Sequence, residues 1–193
     1  MSSTPSQFDR AMSMWREIDF PLIEPPTTGL QFVEDLAAMY SNGTVLHKSF
    51  GIPEHSDFTE FINTGALHSI FFFERFWQTK SVADALPYAL NDVTFLAPDT
   101  FRWIHPVELS GSMARALVQG GAYTTEPMPA RRAMEAAGQA AESLLAGNFQ
   151  EPLVFVSCLP WSSFFYDVAW DYSWLIIRPA DSRIEVVLAT DTD

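Results

Sequence analysis

The chain has 193 residues, 48% of them hydrophobic, a size and composition that suit one folded domain with a sizeable core. It carries 24 acidic and 11 basic side chains, which give a formal charge of −13. This balance argues against charge-driven binding of nucleic acid or anionic lipid, because both need Lys and Arg to neutralise phosphates. The single cysteine excludes an internal disulfide and a cysteine-rich zinc site.

The ends of the chain suggest how it is organised. Residues 1–7 are predicted to form a flexible tail, and residues 8–193 a single globular domain. The N-terminus lacks the basic start and apolar core of a secretory signal, so we expect a soluble cytoplasmic protein. The longest uncharged stretch, residues 152–166, contains Pro160 and is too short to span a bilayer, so no membrane partner is expected.

Helices dominate the predictions for the first two-thirds of the chain. Residues 8–18 have the spacing of a short helix, and Thr28 with Gln31 has the spacing of a capping box that opens the next helix. Residues 44–50 alternate weakly, as in a strand. In residues 67–77 apolar side chains cover most of a helical surface, which is typical of a buried helix. Its core-facing side is predicted to contain Leu67, Ile70, Phe71 and Trp77.

The last third is predicted to be rich in strands after one long helix. Residues 129–145 have helical periodicity, with Pro129 suited to the first turn and Gly147 to the end. Residues 172–178 and 184–189 flank a run of turn residues, as in an antiparallel hairpin. Further short strands are predicted at 93–96, 101–105 and 153–158.

This order of elements predicts an α+β fold. We expect a helix-rich N-terminal two-thirds packed on a small, mainly antiparallel sheet that is built largely from the C-terminal third. If the chain has an internal break, the best place for it is the segment 122–129.

No motif in the sequence predicts catalysis. No pair among His47, His55, His68 and His105 has the i, i+4 spacing of a helical metal site, and the glycine-rich nucleotide-binding motifs and G-x-S-x-G are absent. Cys158 ends a predicted strand, but a nucleophilic cysteine needs a lowered pKa, and buried structural cysteines are common. We therefore predict no catalytic residue, no metal site and no cofactor.

The segment 161–174 is the strongest candidate for a binding surface. It holds three tryptophans and two tyrosines interleaved with two aspartates. Aromatic side chains are enriched at binding hot spots, and nearby aspartates can pair with Arg or Lys of a partner. The competing interpretation is that these aromatic side chains fill the core. The residues predicted to contact a partner are Trp161, Tyr166, Asp167, Trp170 and Asp171.

The acidic charge is concentrated in residues 1–60, net −6, and 131–193, net −5, while residues 61–130 carry only −2. Such a surface favours a non-catalytic protein that neutralises a basic protein partner, such as a toxin or nuclease, as immunity proteins, antitoxins and inhibitors do. One alternative is a small-molecule-binding protein or enzyme with an aromatic-lined pocket. Its polar group would be His47, His68 or His105. Another alternative is a structural subunit of a homo-oligomer.

Overall fold

A computed structural model describes residues 5–26, 30–93, 96–97 and 99–192, with only the backbone at Leu30. The predicted cap at Thr28 and part of the predicted strand 93–96 lie outside these residues. The strands are β1 (Leu22–Ile23), β2 (Thr44–Gly51), β3 (Arg102–Ile104), β4 (Leu153–Ser157), β5 (Tyr172–Arg178) and β6 (Arg183–Thr190). The helices are α1 (Gln7–Met14), α2 (Leu30–Met39), α3 (Ser56–Asn63), α4 (Phe72–Arg75), α5 (Lys80–Ala85), α6 (Leu109–Gln119) and α7 (Ala130–Leu144).

In the described part of the chain the strands form one six-stranded sheet in the order β1-β2-β6-β5-β4-β3. Every neighbouring pair is antiparallel. The predicted hairpin is present as β5 and β6, which pair from Arg178 with Arg183 to Tyr172 with Ala189. Helices combined with an antiparallel sheet drawn largely from the C-terminal part confirm the predicted α+β fold.

Helices cover both faces of the sheet. Side chains of β5 and β6 alternate between the two sides, so Ile177 and Val186 join a core with α1, α3 and α4. Trp174 and Val187 join a second core with α2, α6 and α7. Burial on both faces explains why these strands read as nearly continuous apolar runs rather than as alternating patterns.

The predicted helix 67–77 is broken in the structure. A 3-10 turn at His68–Ile70 ends at Phe71, which has a left-handed backbone with φ of 57° and a side chain that is 41% exposed. Residues 72–75 then form α4, and a second 3-10 turn follows at Phe76–Gln78. The break turns Phe71 outward and brings Phe72 and Phe76, with ring centroids 5.3 Å apart, into the core.

The segment 122–129 is tied to the end of the chain. The carboxylate of Asp191 accepts hydrogen bonds from the backbone N–H of Ala122 at 2.8 Å and of Asn42 at 3.1 Å. Gly121 permits this approach, since a Cβ there would lie 2.4 Å from a carboxylate oxygen of Asp191. These contacts join the segment after α6 to the segment after β6. Among the described residues, no helix is long and apolar enough to cross a membrane.

Candidate functional site

The residues predicted to bind a partner lie in the loop 158–171, which connects β4 to β5. Trp161 lies in the core, with 7% of its surface exposed. Its ring stacks on Trp77 with centroids 4.6 Å apart, and its indole N–H donates to the hydroxyl of Ser173 at 2.8 Å. In this conformation Trp161 is not available to a partner; it fixes the first half of the loop to β5.

Asp171 is also buried, with 1% exposed. One carboxylate oxygen accepts a 2.6 Å hydrogen bond from the hydroxyl of Thr190, and the other accepts one of 3.0 Å from the backbone N–H of Val168. A buried carboxylate needs such donors, because an unpaired one is costly to remove from water. Asp171 therefore holds the second half of the loop against β6 instead of facing a partner.

A third contact fixes the loop to α6. The side-chain amide of Gln119 donates to the carbonyl of Ala169 at 2.8 Å, and its oxygen accepts a 2.7 Å hydrogen bond from the hydroxyl of Tyr172. Trp170, half-buried, packs against the core between the sheet and α7. The loop is thus attached to β5, β6 and α6.

Two of the predicted residues remain at the surface. Tyr166 is 58% exposed, and its neighbour Asp167 is exposed too. Asp167 has a left-handed backbone with φ of 59°, a conformation that is uncommon for residues other than glycine but that Asp and Asn adopt more readily than most. The ends of the loop are attached to the core, and between them the consecutive residues Tyr166 and Asp167 expose an aromatic ring and a carboxylate.

The single cysteine does not have the environment of a nucleophile. Cys158 lies at the surface at the start of the loop, and partial burial of the thiol raises its pKa above the ordinary value. A raised pKa reduces the thiolate fraction at neutral pH, whereas a nucleophilic cysteine needs a lowered one.

The histidines lie in separate places. His55 and His105 act as helix caps: their Nδ1 atoms accept from the backbone N–H groups of Asp57 at 3.2 Å and Val107 at 3.3 Å. His68 packs against Phe73, with ring centroids 4.7 Å apart. Across the described ranges, no group of three or more His, Cys, Asp or Glu side chains could hold a metal ion.

A buried ionic network surrounds Glu185, which sequence analysis did not single out. Glu185 is fully buried on β6 and accepts a hydrogen bond from Ser49 on β2. Its carboxylate also lies 3.0 Å from Nε2 of His47 and 3.3 Å from the guanidinium of Arg183. A further guanidinium, that of Arg178, lies 3.6 Å away. The sequence feature that could have indicated this network is Glu185 itself, the one acidic residue within the apolar strand β6.

The geometry of this network does not match a serine nucleophile with a histidine base. The same oxygen of Glu185 contacts both Ser49 and His47, so the carboxylate stands between hydroxyl and imidazole. A serine nucleophile needs the imidazole itself as its base. Burial raises the pKa of Glu185, but hydrogen bonds from His47 and Ser49 and the charges of His47 and Arg178 outweigh it, leaving the pKa below its ordinary value.

An open cleft of about 1230 Å³ lies beside this network, between α7 and the end of the sheet. Its lining mixes acids such as Glu142 with Arg178 and Arg183. Both guanidiniums are already engaged, since Arg178 donates to the carbonyl of Leu144 at 3.0 Å and Arg183 to that of Glu24 at 2.9 Å. These contacts stabilise the packing of α7 and of the segment before α2.

Comparisons with protein-family models, curated proteins and solved structures find no match to this chain.

Proposed function

We propose that the chain is an acidic cytoplasmic protein that binds and neutralises a basic protein partner, in the manner of an immunity protein, antitoxin or inhibitor. The observation that supports this most directly is the exposed pair Tyr166 and Asp167, carried on a loop whose ends are attached to the core through Trp161 and Asp171. The partner contact is therefore assigned to the tip of the loop, and the two buried residues are assigned to positioning it.

Preorganisation is the physical reason that such a loop suits binding. A loop that is already ordered loses little conformational entropy on association, so more of the contact energy appears as affinity. Tyr166 offers a large ring with few rotatable bonds, and Asp167 offers an acceptor for a bidentate Arg or a Lys. A cationic cleft, such as the active site of a nuclease, has the complementary chemistry.

The surface charge supports the same partner. Of the chain's acids, Asp171, Glu185 and Asp191 are buried and bonded within the fold. Several bases are paired with acids at the surface: Arg10 with Asp57 and Glu60, Lys80 with Asp84, and Arg131 with Glu135. With a net charge of −13, the exterior remains acidic and accelerates encounter with a basic protein.

The test is capture of partners from the lysate of the source cell at low and high salt. The immobilised chain should retain a basic protein at low ionic strength and release it as salt screens the charges. The captured protein is then purified and titrated against the wild type and two loop variants, Tyr166→Ala and Asp167→Asn. Asparagine tolerates the left-handed backbone at position 167, so this change removes charge without adding strain.

The matched control is Glu34→Gln, which removes one negative charge from the exposed side of α2, outside the loop. The proposal predicts that both loop variants weaken binding much more than this control does. Binding that ignores salt, or equal affinity for the wild type and both loop variants, contradicts it.

A further inference from the structure

A small aromatic pocket lies away from the loop tip, between the broken helical segment 68–74 and the residues before β3. It encloses about 190 Å³. Phe73 and Phe101 are among its lining residues and stack on each other, with ring centroids 4.9 Å apart and an angle of 12° between the rings. Both rings are almost fully buried, while Phe71 stands at the rim with 41% of its surface exposed. His68, Glu74 and Thr100 add polar groups to the lining, and Leu96 and Ala97 add apolar ones.

The size of the pocket limits its ligand to one ring or its equivalent. An apolar protein cavity of about 150 Å³ accommodates benzene. The 190 Å³ available here therefore suits a six-membered ring with a short substituent, and is too small for the drug-sized ligands that fill cavities of roughly 300 Å³ or more.

The charge of the lining favours a cation. Within the described residues, the half-buried side chain of Glu74 has no hydrogen-bond or ion-pair partner, and the described lining contains neither Lys nor Arg. The neighbouring Arg75 is directed elsewhere, with its guanidinium 4.0 Å from the sulfur of Met12. Phe73 and Phe101 stack face to face, so they supply apolar contact and the preference for charge comes from Glu74. An unpaired carboxylate beside aromatic rings therefore selects for an ammonium or guanidinium group.

The backbone at the rim of the pocket is strained at Phe71. Phe71 has φ of 57°, and its ring meets that of Phe8 edge-on, with centroids 6.4 Å apart. A left-handed backbone at a bulky residue is costly and is found where the surrounding structure requires it, often at ligand sites. In a continuous helix Phe71 would lie on the core-facing side. With the helix broken, its side chain lines the pocket instead.

We propose that this pocket binds a small organic cation, an ammonium or guanidinium group on a short apolar or aromatic body. The apolar body packs between Phe71 and the stacked pair Phe73 and Phe101, and the cationic group pairs with Glu74. The binding is non-covalent and does not depend on the proposed protein partner. The same chemistry can reach the pocket as a free amine or as a lysine side chain.

The test titrates the full chain with benzylammonium and with neutral benzyl alcohol at pH 8, followed by two-dimensional amide NMR. We expect benzylammonium to shift the resonances of residues 71–74 and to bind about tenfold more tightly than benzyl alcohol, as one half-buried, charge-assisted ion pair with Glu74 allows. A parallel titration with Nα-acetyl-lysine methylamide tests whether the pocket also binds the ammonium group of a lysine side chain. The proposal is supported if either cation shifts these resonances and if its affinity falls when Glu74 is replaced.

Two variants make the result decisive. Glu74→Gln should bring benzylammonium to within about twofold of benzyl alcohol, since it removes the charge and keeps the shape. Ala97→Phe adds bulk at an exposed lining position and should abolish binding of both probes. Glu34→Gln should bind as the wild type does. Lack of response to both cations, or a Glu74→Gln variant that keeps the preference for benzylammonium, overturns the proposal, whatever is found for the protein partner.

Discussion

The carboxylate of Asp171 accepts a 2.6 Å hydrogen bond from the hydroxyl of Thr190, joining the end of the loop 158–171 to the last strand of the sheet. Both residues are buried. The same carboxylate accepts from the N–H of Val168, directly after the exposed pair Tyr166 and Asp167. The bond thus links the stability of the sheet to the conformation of the loop tip.

The first prediction concerns this bond. Asp171→Ala should lower the free energy of unfolding by about 2–3 kcal/mol, because it leaves the buried hydroxyl of Thr190 and the half-buried N–H of Val168 without their acceptor. Asp167→Asn, on the same loop but at the surface, should change it by less than about 0.5 kcal/mol. Urea unfolding at pH 7 measures both.

A double-mutant cycle with Thr190→Val separates the bond from other effects of the substitutions. The two residues are in contact, so their coupling should be roughly 1 kcal/mol. Additive effects in the cycle would show that the bond does not contribute to stability.

The second prediction concerns Trp161. Trp161→Phe keeps an aromatic ring beside Trp77 but removes the donor to Ser173 and some buried area, so it should destabilise the chain by about 1–3 kcal/mol. Trp103→Phe is the matched control, because Trp103 is 51% exposed on the edge strand β3. Its effect should stay within about 0.5 kcal/mol. A control as destabilised as Trp161→Phe would contradict the assigned anchoring role.

The third prediction concerns pH. The pKa of Glu185 is lowered in the fold, so the unfolded chain holds the proton more tightly there. Its stabilising contribution is therefore present above the ordinary pKa of 4.5 and is lost as the pH falls through the folded-state pKa. The free energy of unfolding of the wild type should fall more steeply below pH 4.5 than that of Glu185→Gln.

The same variant should be less stable at neutral pH by about 3 kcal/mol, because Arg178 loses its buried counterion. Denaturant unfolding of wild type, Glu185→Gln and Glu34→Gln between pH 7 and pH 3 measures both effects. Glu34→Gln should keep the wild-type slope. Identical slopes for wild type and Glu185→Gln would exclude Glu185 as a source of the acid sensitivity.

Much of the fold was predictable because local patterns agreed with tertiary packing. The helix predicted at 129–145 is α7, Ala130–Leu144, and the hairpin predicted from β-branched runs is β5 with β6. The prediction of one continuous helix over residues 67–77 was wrong. The apolar residues of this segment surround the helix on all sides, so periodicity could not indicate that Phe71 turns outward in a left-handed conformation.

The candidate site was predictable only as a segment. The density of aromatics and acids in 161–174 located the loop, but composition did not separate buried from exposed side chains. Trp161 and Asp171 are buried because their partners, Trp77, Ser173 and Thr190, come together only in the folded chain. The Glu185 network depends likewise on the register that places Ser49 opposite Glu185 across β2 and β6.

The central claim is that the tip of the loop 158–171 binds a basic protein by charge and shape. Its most direct measurement is calorimetric titration of the captured partner, at low and high salt, with the wild type, Glu34→Gln and the double variant Tyr166→Ala with Asp167→Asn. We predict that the double variant retains the wild-type free energy of unfolding within about 1 kcal/mol but binds at least about a hundredfold more weakly, in the range of hot-spot residues. We also predict that salt weakens the wild type more than the double variant. A folded double variant with wild-type affinity would contradict the claim.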